Sequence, residues 1–443
     1  MKKLAILCAI APISAFGAED CATMRNAPSE VVTLAQVVDL ALCRNPGTAA
    51  AYASLRAARF DKNAAYSTYL PSVSVGANAG INYNNKEWGD WSYGASVSAS
   101  YLIFDFGKRL SDLNQTLATY RATGFEYDET IQNFVFGVIG AYYELLKADA
   151  DVATATSSRD VAKSAQDTAK TKFKAGVVAK ADVLKADTTL ASRDVELERA
   201  KNNREIAKGN LLTKLSFPAD NEITIADMAS SFGSDAEIQS IDELVEIARK
   251  QRPDLLRATA QKDAAWHRRN SAFLRNLPSI SASGSLSWND YRLQGVWGPE
   301  SDQVNGSIGI RASMPLFAGF ANLYGARSAA ASYERAKEAE RETSNQAMMD
   351  VFSAYQNYKT AKIVLKQTDT LLASAAESEK VTAGQYKVGR ATMLDWQTAQ
   401  AELLDAQRQN NAAKYDLFVK RAAVALAIGD IKVKLEEAKN EKQ

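Results

Sequence analysis

Residues able to do covalent chemistry are scarce in these 443 residues. The one histidine, His267, sits in the basic stretch Trp266-His267-Arg268-Arg269 and reads as a surface helix residue rather than a ligand. No nucleophile motif, phosphate-binding loop or metal-ligand spacing accompanies it. An enzyme is therefore not expected, and neither is a cofactor. The acidic groups that stand out are positional. Asp182 follows Gly176 by 182 − 176 = 6 residues, and Asp395 follows Gly389 by 395 − 389 = 6. A glycine supplies the backbone freedom a tight turn needs. A carboxylate in the helical turn that follows favours the helix N-terminus. Acid pairs such as Asp149-Ala150-Asp151 read as a solvated helix face.

That pairing belongs to a longer one. Asn45-Pro46 returns as Arg252-Pro253, and Leu70-Pro71-Ser72-Val73 as Leu277-Pro278-Ser279-Ile280, both at an offset of 253 − 46 = 278 − 71 = 207. Further on, Phe104 pairs with Phe317, Ala141-Tyr142 with Ala354-Tyr355, and Gly176 with Gly389, at 389 − 176 = 213. One unit is duplicated, with an indel of 213 − 207 = 6 residues, and a long internal repeat implies a symmetric architecture. The expected organisation is repeat 1 over 19–217, a linker over 218–240, repeat 2 over 241–429 and a tail over 430–443.

Met1-Lys2-Lys3 followed by the apolar run from Leu4 to Ile13 reads as a secretory signal over residues 1–18. No other stretch reaches the ~20 apolar residues a spanning helix needs, so any membrane insertion must use strands. Lys+Arg 53 against Asp+Glu 52 gives no basic excess for a nucleic acid. Beyond the signal only Cys21 and Cys43 remain, and in an oxidising compartment they are expected to pair, tethering the N-terminal tail. Closing such a loop stabilises by roughly 3 kcal/mol on the chain-entropy view.

Each repeat carries two alternating stretches, within 72–104 and 279–317. Val73, Val75, Ala77, Ala79 and Ile81 alternate with Ser72, Ser74, Gly76, Asn78 and Gly80. Tyr93, Ala95, Val97, Ala99, Tyr101 and Ile103 alternate with Ser92, Gly94, Ser96, Ser98 and Ser100. The second repeat does the same around Ile280 to Asn289 and Ser307 to Met314. Period-two patterning with an uncharged apolar face, aromatics at the strand ends (Tyr83, Trp91, Trp288, Phe317) and a Ser/Gly/Asn counter-face fits an outer-membrane barrel. Four strands cannot enclose a lumen, and an open edge in lipid strands backbone donors and acceptors. Copies must therefore share one barrel. Eight strands leave no passage and twelve begin to, which points to a trimer.

The rest of each repeat is helical. A proline-free pattern runs from about Lys108 to Lys174 and from about Asn322 to Lys387. Turns follow at 174–181 and 387–394, then return helices. Val183, Leu190, Leu197 and Leu211 fall in heptad register, interrupted by Arg204, beside an alanine row of Ala186, Ala200 and Ala207 interrupted by Arg193. Ala141, Ala148, Ala155, Ala162 and Ala169 form a second row, and Ala399, Ala406, Ala413 and Ala427 a third. Small residues in rows let antiparallel helices approach closely. The alternative architecture is a trimeric, membrane-anchored coiled-coil stalk or adhesin with no conduit.

These features together resemble the TolC-like outer-membrane efflux and secretion channels. The likeness is carried by Thr33-Leu34, Ala41-Leu42 and Asn45-Pro46, by Tyr69-Leu70-Pro71-Ser72-Val73, by Phe104-Asp105-Phe106-Gly107, and by the run from Phe173 to Val183. It covers nearly the whole mature chain. It implies a mixed α and β homotrimer, with a 12-stranded transmembrane β-barrel (four strands per chain) continued by a periplasmic α-helical coiled-coil barrel. It also implies a periplasmic adaptor and an inner-membrane transporter as partners, outer-membrane lipid as surroundings, and export of proteins (type I secretion) or small toxic compounds. On the family pattern the helical tips form the periplasmic aperture, with Asp182, Tyr386, Arg390, Asp395 and Thr398 at the constriction. Thr398 stands where the family has a second acid. Lys174, Gly176, Val177, Lys387, Gly389 and Arg390 would meet the adaptor.

Overall fold

The computed structural model describes residues 28, 31–84, 87–227, 240–292 and 301–431. The signal, Cys21, and parts of the expected linker and tail lie outside these residues. Cys43 is disulfide-bonded.

Helix α1 (Leu34–Arg44) opens at a capping box, in which Thr33 and Gln36 satisfy each other's backbone N–H. Asn45 ends it and starts α2 (Pro46–Ala65), its Oδ1 accepting from the N–H of Gly47 at 2.8 Å and of Thr48 at 3.1 Å. A 3-10 turn (Tyr66–Tyr69) and Pro71 break the helix, as expected. Strands β1 (Ser72–Asn84) and β2 (Glu87–Phe104) follow. Next come α3 (Lys108–Lys174) and α4 (Lys180–Lys214). The second repeat supplies α5 (Ile241–Gln251), α6 (Pro253–Leu274), β3 (Ser279–Arg292), β4 (Ser301–Ser313), α7 (Ala321–Lys387) and α8 (Met393–Ala427). β4 stops at Ser313, short of the expected 317. Pro315, which has no N–H for the ladder, follows at once.

The strands form one antiparallel sheet in the order β1-β2-β3-β4, so β1 and β4 each leave an unpaired edge. The register places Val73, Ala99, Gly284 and Ile308 in one row, and Ser74, Ser98, Ser285 and Ser307 in the row beside it.

Two compact units emerge. One comprises Ala53–Glu126 and Asp254–Thr343 and holds the sheet; the other comprises Met1–Tyr52, Tyr127–Pro253 and Ser344–Gln443. In the second unit α1 buries Val37, Val38 and Ala41 in a cluster with Val135, Val138 and Leu145 of α3, Leu211 of α4 and Leu215 at the C-cap of α4. Val32 bridges to Ile225, and the Tyr142 hydroxyl donates to the Ala226 carbonyl. A smaller cluster packs Leu244 and Ala248 of α5 against Val351, Val424 and Ile428. Most of the alanine rows are buried as the heptads require: Ala148, Ala155, Ala162 and Ala169 on α3, Ala186 and Ala207 on α4, and Ala399, Ala406, Ala413 and Ala427 on α8, while Ala141 and Ala200 are half-buried.

The duplication reaches the backbone. Eight described residues have positive φ, and they form four pairs 213 apart: Phe106 with Gly319, Gly107 with Phe320, Gly176 with Gly389, and Ser216 with Gly429. In three of the four pairs only one member is glycine. The turn geometry has thus been kept where the side chain has not.

Candidate functional site

Two regions can carry function: the helical tips in one unit and the polar face of the sheet in the other.

At the tips, Gly176 and Gly389 end α3 and α7 with φ of 73° and 79°. Val177 N–H donates to the Lys172 carbonyl at 2.9 Å, and Arg390 N–H to the Gln385 carbonyl at 2.8 Å. Both are the long bond of a Schellman cap, which needs a left-handed residue just before its donor. A β-carbon on either glycine would meet nothing within 4 Å, so the requirement is conformational rather than steric.

Asp395 is the third residue of α8 and closes a capping box. Its carboxylate accepts from the N–H and Oγ1 of Thr392 at 2.8 and 2.7 Å, and its own N–H donates to Thr392 Oγ1 at 3.2 Å. Those bonds hold the carboxyl below its ordinary range, so it carries its charge in an exposed position. Asp182 occupies the matching place on α4, whose N-cap Ala179 offers no side-chain bond. Thr398 is exposed and its hydroxyl donates to the Leu394 carbonyl at 3.0 Å. Lys174, Lys387 and Arg390 are exposed, as are Val177 and Val388.

Tyr386 is buried in a cluster with Ala165, Ala169, Ala186, Met393 and Trp396, contributed by all four long helices. Its ring lies 5.2 Å from that of Trp396, whose Nε1 donates to Glu379 at 2.8 Å. Lys172 of the first repeat sits 4.2 Å above the Tyr386 ring and donates to the Tyr386 carbonyl, joining one tip to the other. The Tyr386 hydroxyl is buried without a hydrogen-bond partner among the described residues. Burial, with Asp182 nearby, pushes its pKa up. Sequence reasoning named Tyr386 and missed Lys172, Glu379 and Trp396. The one available signal was a tryptophan at a heptad position in an otherwise alanine-rich helix.

Above the tips, polar pairs cross between helices. Gln166 donates to Asp187 at 2.8 Å, and Gln397 to Thr189 at 2.8 Å. Arg204, which interrupts the leucine row, bonds Asp149 at 2.7 Å, and Asn411 reaches Asp151 at 3.3 Å. The Asp149–Asp151 pair is therefore not the freely solvated face expected: it pins α3 to α4 and α8.

On the sheet, the apolar face is exposed. Val73, Val75, Leu286, Ile308 and Ile310 are 66, 78, 56, 96 and 75 % exposed within one chain. The opposite face is a hydroxyl surface. Ser72 pairs with Ser100, Ser74 with Ser98 and Ser285 with Ser307, each at 2.8 Å. Of the expected girdle residues, Trp288 is 39 % exposed and Phe317 75 %, while the side chains of Tyr83 and Trp91 lie outside the described set. No helix among the described residues is long and apolar enough to cross a membrane.

A sheet with one apolar face, one hydroxyl-bearing face and two unpaired edges has the pattern of strands from an outer-membrane barrel. The chain belongs to the outer membrane efflux protein family, which matches residues 37–215 and 244–430, one span in each repeat. It is 23% identical over 405 residues to protein CyaE of Bordetella pertussis, covering 90% of this chain and 84% of that one. It is 25% identical over 430 residues to outer membrane protein TolC of Escherichia coli, covering 91% and 83%. The fold matches the outer membrane protein VceC of Vibrio cholerae with a TM-score of 0.76 at 20% identity, over 89% of this chain and 96% of that one. The protein is thus an efflux channel of the TolC family in the outer membrane, with most of its chain in the periplasm, and it is not an enzyme.

Proposed function

We propose that three copies pool their strands into one 12-stranded barrel and serve as the exit duct of a tripartite export system. The observation that carries this is the pair of unpaired edges on β1 and β4. Each bare edge group costs several kcal/mol in lipid, and only closure removes them. Twelve strands are enough to leave a passage, whereas eight are filled by side chains. The exposed tips, with Lys174, Val177, Lys387, Val388 and Arg390, offer basic and apolar surface to a periplasmic adaptor. An inner-membrane transporter would supply the energy. The cargo is a secreted protein or a small toxic compound, and transport through this chain is passive.

Light scattering of the detergent-solubilised protein should give a trimer mass, and planar bilayers should show single-channel steps. A stable folded monomer would refute the shared barrel. A trimer silent in bilayers, even as the Asp395→Ala/Tyr386→Phe double variant, would favour the stalk. Deleting the gene and scoring both secreted proteins and drug susceptibility identifies the cargo class.

A further inference from the structure

The described side chains on the polar face of the sheet are Ser, Gly, Asn and Gln, with two exceptions: Leu102 and Arg311. Arg311 shares its row with Ser281 and Leu102, two residues before β4 ends. It is exposed. The sheet's other described charge, Asp290, lies on the opposite face, in register with Tyr93. The acid at the β2–α3 junction, Asp105, is already engaged: its carboxylate accepts from the Arg109 N–H at 2.7 Å and lies 3.5 Å from the guanidinium. β1, the strand that would abut β4 of a neighbouring copy, contains no charged residue at all (SVSVGANAGINYN).

We infer that Arg311 is the charge-selecting residue of the barrel lumen, and that this stretch of the duct favours anionic over cationic cargo. The inference rests on the trimeric channel proposed above. Closure by three copies repeats Arg311 as a ring of three guanidiniums on a wall otherwise neutral among the described residues, and neither β1 nor β3 brings a carboxylate to that face. The ring's field reaches about one Debye length, ~10 Å at 0.1 M salt and ~3 Å at 1 M. The preference is therefore strong in dilute salt and faint in concentrated salt. It also opposes the acids at the tips, so the two regions filter charge in opposite senses.

The test is reversal potential across planar bilayers in a KCl gradient. The background is the Asp182→Asn/Asp395→Asn variant, so that the tip acids do not mask the barrel. Replacing Arg311 by Gln should lower the chloride-to-potassium permeability ratio roughly threefold near 0.1 M salt and hardly at all near 1 M. Arg311→Glu should invert the preference. Arg311→Lys should restore it, which separates charge from shape. Channels that conduct normally with an unchanged ratio in both Gln and Glu variants overturn the assignment while leaving the channel intact. Absence of conductance in the parent protein overturns the channel itself.

Discussion

Replacing Trp396 by alanine should loosen the tips and leave the rest of the helical unit intact. Trp396 is 3 % exposed, lies with its ring 5.2 Å from that of Tyr386, and shares a cluster with Met393, Ala165, Ala169 and Ala186 that is separate from the larger core around Tyr142. Truncating a buried tryptophan costs about 3 kcal/mol at the low end of the usual range, because the cavity is not refilled. Four of the five named neighbours are Ala or Met, and the alanines have no side chain with which to collapse into it. Since 1.4 kcal/mol is tenfold, local opening should rise about 140-fold. Native-state hydrogen exchange reads this directly in amides of 383–397 and 165–186, when closing outpaces chemical exchange. Trp396→Phe keeps an aromatic ring beside Tyr386 but loses the bond to Glu379 and the second ring of the indole; it should cost less than the alanine, about 2 kcal/mol, or roughly 30-fold. Amides around Val138 and Leu211 should not respond. Equal loss of protection at tip and core would refute the reasoning, because it would mean the two clusters open as one. So would an alanine variant whose tip amides exchange at the parent rate.

Other expectations are shorter. Gly389→Ala places a β-carbon at φ 79° and should destabilise the tip by about 1–2 kcal/mol, while Gly389→Asn should cost less; tip exchange rates compare the two. Glutamate at Lys174 or Arg390 should weaken adaptor binding in a pull-down without disturbing the trimer, and loss of the trimer would contradict the tip assignment. The Tyr415 hydroxyl is raised by burial and Asp227 to about 12, and burial raises Tyr142 as well. A folded pKa above the unfolded value of 10 means the stabilisation is complete below about pH 10 and disappears as pH rises through about 12. Alkaline unfolding should therefore set in over that window, and Tyr415→Phe should flatten it; parallel curves for the two proteins would exclude the role. The partly exposed Arg204–Asp149 pair should show a coupling below ~1 kcal/mol in a double-mutant cycle, shrinking with salt.

How far the sequence reached depended on whether a feature was local. Strand alternation, the two prolines before the strands, the glycines at the turns and the alanine rows are all set by neighbours within a few residues, and they stand where they were read. The serine register Ser74–Ser98–Ser285–Ser307 needed the order of strands from two repeats, which no spacing reveals. Lys172 was invisible for the same reason: its partner Tyr386 is 214 residues away, in the other copy. Helices α1 and α5 are not delimited by any pattern in the sequence. Each is only 11 residues long and owes its stability to clusters built by other helices. Asp395 shows a third kind of limit. The carboxylate does cap its helix and is exposed and charged as well, so the structural and the functional readings are compatible rather than competing.

The two copies have kept one backbone and divided the chemistry between them. Tyr386 and Trp396 correspond, at 386 − 213 = 173 and 396 − 213 = 183, to Phe173 and Val183. The second copy turns its aromatic inward, with Tyr386 3 % exposed and held under Lys172 from the first. The first turns its aromatic outward, with Phe173 43 % exposed beside Lys174 and Val177. The caps diverge in the same sense: Thr392 and Asp395 fasten the start of α8, while α4 begins at Ala179 with no side-chain bond. One tip is thus anchored and the other is presented. Three copies would set six tips of two kinds in alternation, so an adaptor that grips the exposed phenylalanine finds three equivalent sites rather than six. Phe173→Ala should then weaken adaptor binding far more than Val388→Ala, although both side chains are exposed. Equal losses at the two would mean that the copies had diverged in sequence without diverging in task.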